Sequence, residues 1–278
     1  MISYIGGKSR MSKWICEYIP NDIETYVEVF GGAFWVYVKG DINEKPNLKE
    51  VIYNDKNKFM ANLFMCMREP EVFYERLSEV ESQNAQTFKE FQTSLNIYAE
   101  VQTSLNIYGA DFRMDLAVKY AYVATQVFSG SKVLESKFVD LKGKYSSKYD
   151  ALRNRLQKTE IQDKLKKITA VENLGYEELI KKYDSPTTFF YTDPPYWKTE
   201  NYYSNHNFTI NDHELLCKIL TQIKGKFALS YYDFPDLRTW LPKNKYFWKQ
   251  KEFAKAAGAI KGKKQNKGTE VLIMNYEC

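Results

Sequence analysis

The sequence predicts an α/β fold in which one domain of strands and helices is interrupted by a largely helical insert. Short apolar and aromatic runs, such as residues 26–30 and 188–193, are typical of buried strands. Segments with helical periodicity follow several of these runs. Between residues 70 and 166 the strand pattern disappears and long polar-aromatic stretches with helical spacing take its place.

The composition indicates a folded protein with a hydrophobic core, but it does not indicate a particular function. The 278 residues are 44% hydrophobic and 16% aromatic, which is enough for a sizeable core. Lys and Arg number 40 against 35 Asp and Glu, a net charge of +5 that permits a polyanionic partner without requiring one. Lysines concentrate between residues 249 and 267, which indicates either a basic loop that neutralises phosphates or a solvated loop.

Cysteine and histidine usage argues against a structural metal. The four cysteines have no paired spacing, and the two histidines, His206 and His213, are expected at the surface rather than as bases. No apolar stretch reaches the ~20 residues of a membrane span, and the first residues lack the apolar core of a signal peptide. We therefore expect a cytoplasmic protein with reduced thiols.

The first strands carry the pattern of a nucleoside-binding half-fold. Gly31 and Gly32 follow the strand at 26–30, and Asp55 ends the next strand at 51–55. Glycine in such a turn lets backbone amides approach a ligand, and the acid accepts hydrogen bonds from ribose hydroxyls. The spacing of a little over twenty residues strengthens a signal that a glycine pair alone would leave weak.

An internal repeat lies in the insert, where the heptapeptide at 92–98 returns at 102–108. A helix turns about 100° per residue, so a period of ten places the second copy roughly 80° from the first. Both copies therefore cannot bury the same face. We favour a tandem duplication that lengthened a surface element over a duplicated recognition surface.

The doubly wound pattern resumes after residue 166. Ser230 and Glu270, on later strands, are expected to make structural hydrogen bonds. A helix near residue 212 is expected to be capped by Asn211 or Asp212. The predicted elements are strands at 168–171, 188–193, 227–230 and 270–275, and helices at 176–182 and 212–223.

The strand at 188–193 ends in Asp193-Pro194-Pro195-Tyr196, which places a carboxylate, two prolines and an aromatic ring together. This set suits a flat, weakly nucleophilic amine. The Asp193 carboxylate and the restrained Pro194 carbonyl can each accept an amino hydrogen, and Tyr196 can stack on the ring. The alternative is a capping Asp beside two turn prolines, but Tyr196 and the buried strand favour a site.

Taken with the earlier blocks, this motif resembles the Dam-like family of DNA adenine methyltransferases, and the similarity extends over most of the chain. The first and second blocks look like that family's N-terminal and glycine motifs, the third like its ribose-binding block, and the fourth is its catalytic motif unchanged. These blocks are Tyr4-Ile5-Gly6-Gly7-Lys8, Val27-Glu28-Val29-Phe30-Gly31-Gly32, Asn54-Asp55-Lys56-Asn57 and Asp193-Pro194-Pro195-Tyr196.

The resemblance implies a Rossmann-like methyltransferase sheet formed by residues 1–69 and 167–278, with a target-recognition insert at 70–166. It implies S-adenosylmethionine as methyl donor, S-adenosylhomocysteine as product, no metal, and double-stranded DNA whose target adenine is flipped out. We expect a monomer or weak dimer, bacterial or phage-encoded. The implied catalytic residues are Asp193, Pro194, Pro195 and Tyr196, and the implied donor-binding residues are Tyr4, Gly6, Gly7, Lys8, Glu28, Phe30, Gly31, Gly32, Asp55 and Asp193.

Two positions depart from the family pattern. Phe34 stands where the glycine motif usually has a further Gly, and Gly175 precedes Tyr176 where an Asp is common. Phe34 is expected to crowd the donor, and Gly175 removes an adenine contact. We therefore predict weaker donor binding.

Two alternatives remain at this point. The same pocket chemistry serves another planar amine, such as the cytosine amino group. A non-catalytic DNA-binding protein that kept the fold and lost donor binding is the second, motivated by Phe34 and Gly175. Asp193, Tyr196, Asp55 and Lys8 argue for the adenine methyltransferase.

Overall fold

The fold is a seven-stranded sheet with helices on both faces. The computed structural model describes residue 2 and residues 7–105, 112–127, 132–140, 147–197, 208–254 and 267–277. The strand order is β3-β2-β1-β4-β5-β7-β6. The strands are Thr25–Glu28 (β1), Glu50–Asn54 (β2), Ala170–Glu172 (β3), Thr188–Thr192 (β4), Lys226–Tyr231 (β5), Phe247–Ala254 (β6) and Lys267–Met274 (β7).

The sheet is mixed. The five strands from β3 to β5 run parallel, and β7 lies antiparallel between β5 and β6. Strand β1 pairs with β2 on one side and with β4 on the other, so the chain order reverses between β1 and β4. In open α/β sheets, ligands bind in the crevice outside the carboxyl ends of strands at such a switch point. Glu28 ends β1 there, and Asp193 follows β4.

Strands β1 and β4 are buried along their whole length, as the apolar runs predict for strands covered on both faces. Successive side chains point to opposite faces of a strand. In β4, Phe189 and Tyr191 accordingly lie in one core cluster and Phe190 lies in the other. The first cluster packs the N-terminal and insert helices against the sheet, and the second packs the helices that follow β3.

Most predicted elements are confirmed with shifted ends. The helices are Ser12–Cys16 (α1), Trp35–Lys39 (α2), Lys58–Met67 (α3), Pro70–Ser78 (α4), Ala85–Ser104 (α5), Met114–Thr125 (α6), Lys148–Leu156 (α7), Thr159–Lys166 (α8), Tyr176–Tyr183 (α9), Ile210–Leu220 (α10) and Pro235–Trp240 (α11). The cap predicted for α10 was wrong by two or three residues. Thr209 is the N-cap and forms a capping box with Asp212, which therefore lies at the third helical position.

Two elements have no counterpart in the sequence-based prediction, namely β6 and α11. The β6 sequence has four consecutive polar residues in its middle, from Lys249 to Glu252, which is a weak strand signal. It forms a strand because β7 pairs with it along its whole length. Helix α11 spans six residues and starts with Pro235 in its first turn, where a missing N–H costs nothing.

The insert is helical in the part of it that the structure describes, from α4 to α8. Its helices do not form a separate core. Leu116 of α6 and Tyr149 of α7 belong to the same buried cluster as Phe64 of α3. Across the described residues, no helix is long and apolar enough to cross a membrane.

The two copies of the repeat have opposite environments, which confirms that they cannot bury the same face. Leu95 in the first copy is 0% exposed, whereas Leu105 in the second is 62% exposed. Gln92 donates hydrogen bonds to the carbonyls of Val133 and Ser136, so the first copy also fastens a neighbouring segment. Residues 106–108 of the second copy lie outside the described residues.

Candidate active site

The turn after β1 is held by five residues that we call the glycine clamp: Gly31, Gly32, Tyr53, Asn54 and Asp55. The Gly31 N–H donates to the Asn54 carbonyl at 2.6 Å, and the Gly32 N–H donates to Asp55 Oδ2 at 2.9 Å. The Tyr53 hydroxyl donates to the Gly32 carbonyl at 2.9 Å. A Cβ on Gly31 would lie 2.3 Å from Tyr53 Cε2, so only glycine fits there.

Asp55 is thus part of the clamp as well as the acid predicted for ribose. Its Oδ1 accepts the Asn57 N–H at 2.8 Å, and its carbonyl accepts from Asn173 Nδ2 at 2.7 Å. Both carboxylate oxygens of Asp55 thus accept hydrogen bonds from the backbone around the turn.

Phe34 corrects one expectation. Its side chain is fully buried and packs against the rings of Tyr37, Tyr53 and Phe64, with centroids 4.6 to 5.6 Å apart. The ring therefore lies in the core, and the idea that it crowds the donor was wrong in its geometry. Its backbone is left-handed, with φ 56°, which costs a non-glycine residue about 1 kcal/mol.

Glu28, predicted to bind the donor, is buried at the end of β1. Its Oε1 accepts from the Tyr26 hydroxyl at 2.7 Å and from the Tyr37 N–H at 3.0 Å. Burial raises the pKa of this carboxyl to about 8, partly opposed by those two hydrogen bonds and reinforced by nearby Asp193. Glu28 thus joins β1 to α2, and its role toward the donor stays a prediction.

The residues after β4 meet the N-terminus and β7 in a second group, the acceptor cluster: Lys8, Asp193, Tyr196 and Glu270. Lys8 Nζ lies 2.7 Å from Asp193 Oδ1 and 3.5 Å from Glu270 Oε1. The Tyr196 hydroxyl donates to Glu270 Oε1, and the Lys8 ammonium lies 4.7 Å from the centre of the Tyr196 ring. The Asp193 side chain is 17% exposed, against 3% for Glu270.

One ammonium therefore serves two carboxylates in this cluster. Burial raises the pKa of Asp193, and Lys8 opposes the rise. Burial likewise raises the pKa of Glu270, with Lys8 opposing it and the charge of Asp193 adding to it. Perturbed carboxylates that converge in a crevice are typical of functional sites.

The Tyr196 ring packs inside the protein. Its centroid lies 5.4 Å from the Tyr231 ring, nearly parallel, and 4.4 Å from the Tyr232 ring, edge to face. Behind them, His213 bonds the Tyr231 hydroxyl through Nδ1 and is fully buried, so the expectation that it lies at the surface was wrong. His206 and the two tyrosines at 202 and 203 lie outside the described residues.

A third group is aromatic. Phe30, Tyr176 and Phe208 lie with ring centroids 5.8 to 6.0 Å apart, beyond the carboxyl end of β1. Gly175 begins α9 beside them in an extended conformation, and a Cβ built on it would meet nothing within 4 Å. There is therefore room for a side chain at the position where the family pattern has an acid.

Most of these residues were named as candidates from the sequence, but their grouping was not predicted. Lys8, predicted with the donor-binding residues, contacts Asp193, and Pro194 and Pro195 are buried beside it. Tyr4 and Gly6 lie outside the described residues. So do residues 255–266, which make up most of the lysine-rich segment at 249–267. Glu270 was missed as a site residue, although a lone acid in an apolar strand was a signal that could have found it.

No group of three or more His, Cys, Asp or Glu side chains that could hold a metal occurs within the described ranges. In the acceptor cluster, the Lys8 ammonium contacts both carboxylates, those of Asp193 and Glu270.

A sheet of this order, with a glycine turn after its first strand and a carboxylate site after its fourth, defines an α/β Rossmann-like methyltransferase. Comparison with protein families matches residues 4–255 to the D12 class N6 adenine-specific DNA methyltransferases. The match covers most of the chain, which therefore belongs to this family, an enzyme class that uses S-adenosylmethionine. A search of curated proteins gave no match.

Proposed function

We propose that the acceptor cluster receives an adenine flipped out of double-stranded DNA and that Asp193 directs its N6 amino group toward the methyl donor. The observation that carries this proposal is the position of Asp193 at the β1/β4 switch point, within a buried cluster yet partly exposed. As a carboxylate it can accept an amino hydrogen, which draws the amine lone pair out of conjugation.

The other residues of the motif have supporting roles in this proposal. The Pro194 carbonyl accepts the second amino hydrogen, and Tyr196 lines the base pocket. The Tyr196 ring already contacts the rings of Tyr231 and Tyr232. The base can therefore stack only on the part of the Tyr196 ring that these two side chains leave uncovered. The methylated amine can lose its proton to water, so no further base is required.

The donor site is proposed to extend from the acceptor cluster across the glycine clamp to the aromatic group. S-adenosylmethionine supplies a methyl group that its sulfonium charge makes electrophilic. The chain's residues fit this molecule chemically: a carboxylate such as that of Asp55 can accept hydrogen bonds from ribose hydroxyls, and Phe30 and Tyr176 offer rings to a purine. Tyr4, Gly6, Gly7, Lys8, Glu28, Gly31 and Gly32 complete the proposed set.

The helical segment 70–166 is proposed to read the DNA sequence, with 1–69 and 167–278 as the catalytic domain. Its link to catalysis is direct packing, since α6 shares the core of α3, which follows Asp55. We propose a monomer or weak dimer that acts where the DNA is, in the cytoplasm of a bacterial or phage-infected cell.

The test is expression in cells that lack adenine methylation, followed by mapping of modified adenines and mass analysis of nucleosides. We expect N6-methyladenine at one sequence context. Asp193→Ala should lower methylation about 1000-fold, while donor affinity measured by calorimetry changes less than about tenfold.

Asp22→Ala is the matched control, because Asp22 is an exposed acid paired with Lys226. It should methylate like the parent. Methylated cytosine in place of adenine would instead support the alternative in which the cytosine amino group accepts the methyl group. Donor binding without any methylated base would contradict the proposal.

A further inference from the structure

A second buried carboxylate in the acceptor cluster comes from the last strand. Glu270 lies on β7, on the same sheet face as Leu272 and Met274, and opposite Lys251 of β6. It follows the end of the family match at residue 255, and its contacts with Lys8 and Tyr196 bring it into the cluster.

The position of Lys8 creates a conflict with the proposed chemistry. Its ammonium bonds Asp193 Oδ1 at 2.7 Å, and that carboxylate is the group expected to accept the adenine amino hydrogen. An ammonium is a stronger donor than an aromatic amine, because charge-assisted hydrogen bonds are the stronger kind. Asp193 can therefore serve the amine fully only if Lys8 has another partner.

Glu270 is that partner. Its Oε1 lies 3.5 Å from Lys8 Nζ, beyond a good hydrogen bond but within about 1 Å of one. Lysine carries a flexible stem, so its ammonium can make this shift without any movement of the backbone. The same Glu270 oxygen accepts from the Tyr196 hydroxyl, so it holds the ring of the base pocket as well.

We propose that Glu270 is a positioning residue that takes the Lys8 ammonium from Asp193 when the target amino group enters, and that holds Tyr196 in place. This inference rests on the proposed role of Asp193. In the free protein Lys8 pairs mainly with Asp193, and on substrate entry it pairs mainly with Glu270. Buried charge stays compensated in both arrangements, which avoids leaving an unpaired buried ion.

The pH dependence of the reaction reports this exchange. The charged and titratable groups that face Glu270 in the described residues are Lys8 from the N-terminal segment, Asp193 and Tyr196 after β4, Tyr191 on β4, Tyr232 after β5 and Lys251 on β6. Replacing Glu270 by Gln leaves Lys8 with one carboxylate. The pKa of Asp193 should then fall, and the acid limb of kcat/KM should move to lower pH.

The experiment compares full-length Glu270→Gln with the parent in single-turnover methyl transfer to DNA. We expect a roughly 10- to 100-fold slower transfer near pH 7.5, less than the ~100- to 1000-fold cost of losing a preorganised contact to the substrate, because Glu270 acts through Lys8. Donor affinity should stay unchanged, and the acid limb should shift down. Asp22→Asn, which neutralises an exposed acid paired with Lys226 outside the insert, is the matched control and should change neither quantity.

A double-mutant cycle separates positioning from a merely structural role. If Glu270 acts mainly through Lys8, Glu270→Gln should cost less than about threefold in a Lys8→Met background. Equal costs in both backgrounds, or an unshifted acid limb, would overturn the proposal. If Glu270→Gln fails to fold, Glu270→Asp keeps the charge, and it should retain the parental acid limb.

Failure of this inference can be told from failure of the proposed function. A parent enzyme that depends on Asp193 but tolerates Glu270→Gln would refute only the role of Glu270. A parent that methylates no DNA, or that tolerates Asp193→Ala, would refute the proposed function.

Discussion

The acceptor cluster and the glycine clamp lie at the same edge of the sheet but are held together by different forces. In the acceptor cluster, side chains from three distant parts of the chain meet through buried charges, with Lys8 shared between Asp193 and Glu270. In the glycine clamp, neighbouring strands β1 and β2 meet through hydrogen bonds to backbone groups.

The acceptor cluster and the glycine clamp should therefore respond differently to mutation and to pH. Buried charges depend on pH and on having their partners, because an uncompensated buried ion is costly. A clamp of backbone hydrogen bonds depends on close approach, so it tolerates pH but not added volume. The two halves can therefore be disturbed separately.

The largest effect is expected from Lys8→Met, which removes the cation from the acceptor cluster. The pKa values of Asp193 and Glu270 should rise further, so Asp193 would be protonated over more of the pH range. We expect methyl transfer at pH 7.5 to fall 100- to 1000-fold, on the order of a lost electrostatic contact, with its acid limb moved to higher pH. Single-turnover rates from pH 6 to 9 measure this.

Lys49→Met is the control for that variant, because Lys49 forms an exposed pair with Glu24. It should leave the pH profile unchanged. A Lys8→Met enzyme with parental rates would show that the acceptor cluster does not depend on its cation.

Gly31→Ala should disturb the glycine clamp without changing a charge. The new Cβ would lie 2.3 Å from Tyr53 Cε2 and 2.8 Å from the Asn54 carbonyl oxygen, and that carbonyl belongs to a buried strand. We expect the free energy of unfolding to fall by roughly 2 to 4 kcal/mol, and donor binding to weaken with it. Thermal unfolding and calorimetry with the donor measure it.

Gly175→Ala is its counterpart, since a Cβ there meets nothing within 4 Å. Both quantities should then stay parental. If Gly31→Ala bound the donor as the parent does, the turn would have to shift to accommodate the Cβ, which would contradict the close packing of the glycine clamp.

Glu28→Gln tests a buried carboxyl that lies between the two groups. The folded-state pKa is about 8, against an ordinary value of 4.5, so the folded protein keeps a proton that the unfolded chain loses as pH rises. Stability of the parent should therefore fall as pH rises from about 4.5 to 8, by roughly 5 kcal/mol from this group.

Glutamine removes that slope and keeps an oxygen that can accept from Tyr26 and Tyr37. Urea unfolding at pH 5 and pH 8.5 should show the variant gaining on the parent only at the higher pH. An equal difference at both pH values would contradict a raised pKa for Glu28.

The smallest effect is expected from Gly175→Asp. The side chain has room beside Phe30 and Tyr176, and it would restore the acid of the family pattern. A new hydrogen bond contributes about 1 kcal/mol, so donor affinity should tighten three- to tenfold. Calorimetry against Gly175→Ala measures it. Unchanged affinity would mean that Gly175 does not account for weaker donor binding, which stays a prediction.

Local patterns predicted well where a single strand and its ends decide the structure. The runs at 51–55 and 188–193 correspond to the buried strands β2 and β4, Gly31 and Gly32 form the turn, and Asp55 directly follows its strand. Each of these follows from side-chain period, proline or glycine chemistry within a few residues.

Patterns failed where a distant partner decides. Strand β6 exists because β7 pairs with it, and His213 is buried because Tyr231 and the aromatic rings around it enclose it. Phe34 was expected to crowd the approach of the helix to the donor, whereas its ring lies in the core against Tyr53 and Phe64.

Local sequence patterns were enough to predict the α/β class, the glycine turn and the carboxylate after β4, because strand period and turn chemistry act over short distances. The contact of Lys8 with both Asp193 and Glu270 depends instead on the tertiary structure. Those residues are separated by most of the chain, and their charges meet because β7 lies antiparallel against β5 beside the end of β4. Burial then sets their pKa values, which no local pattern encodes.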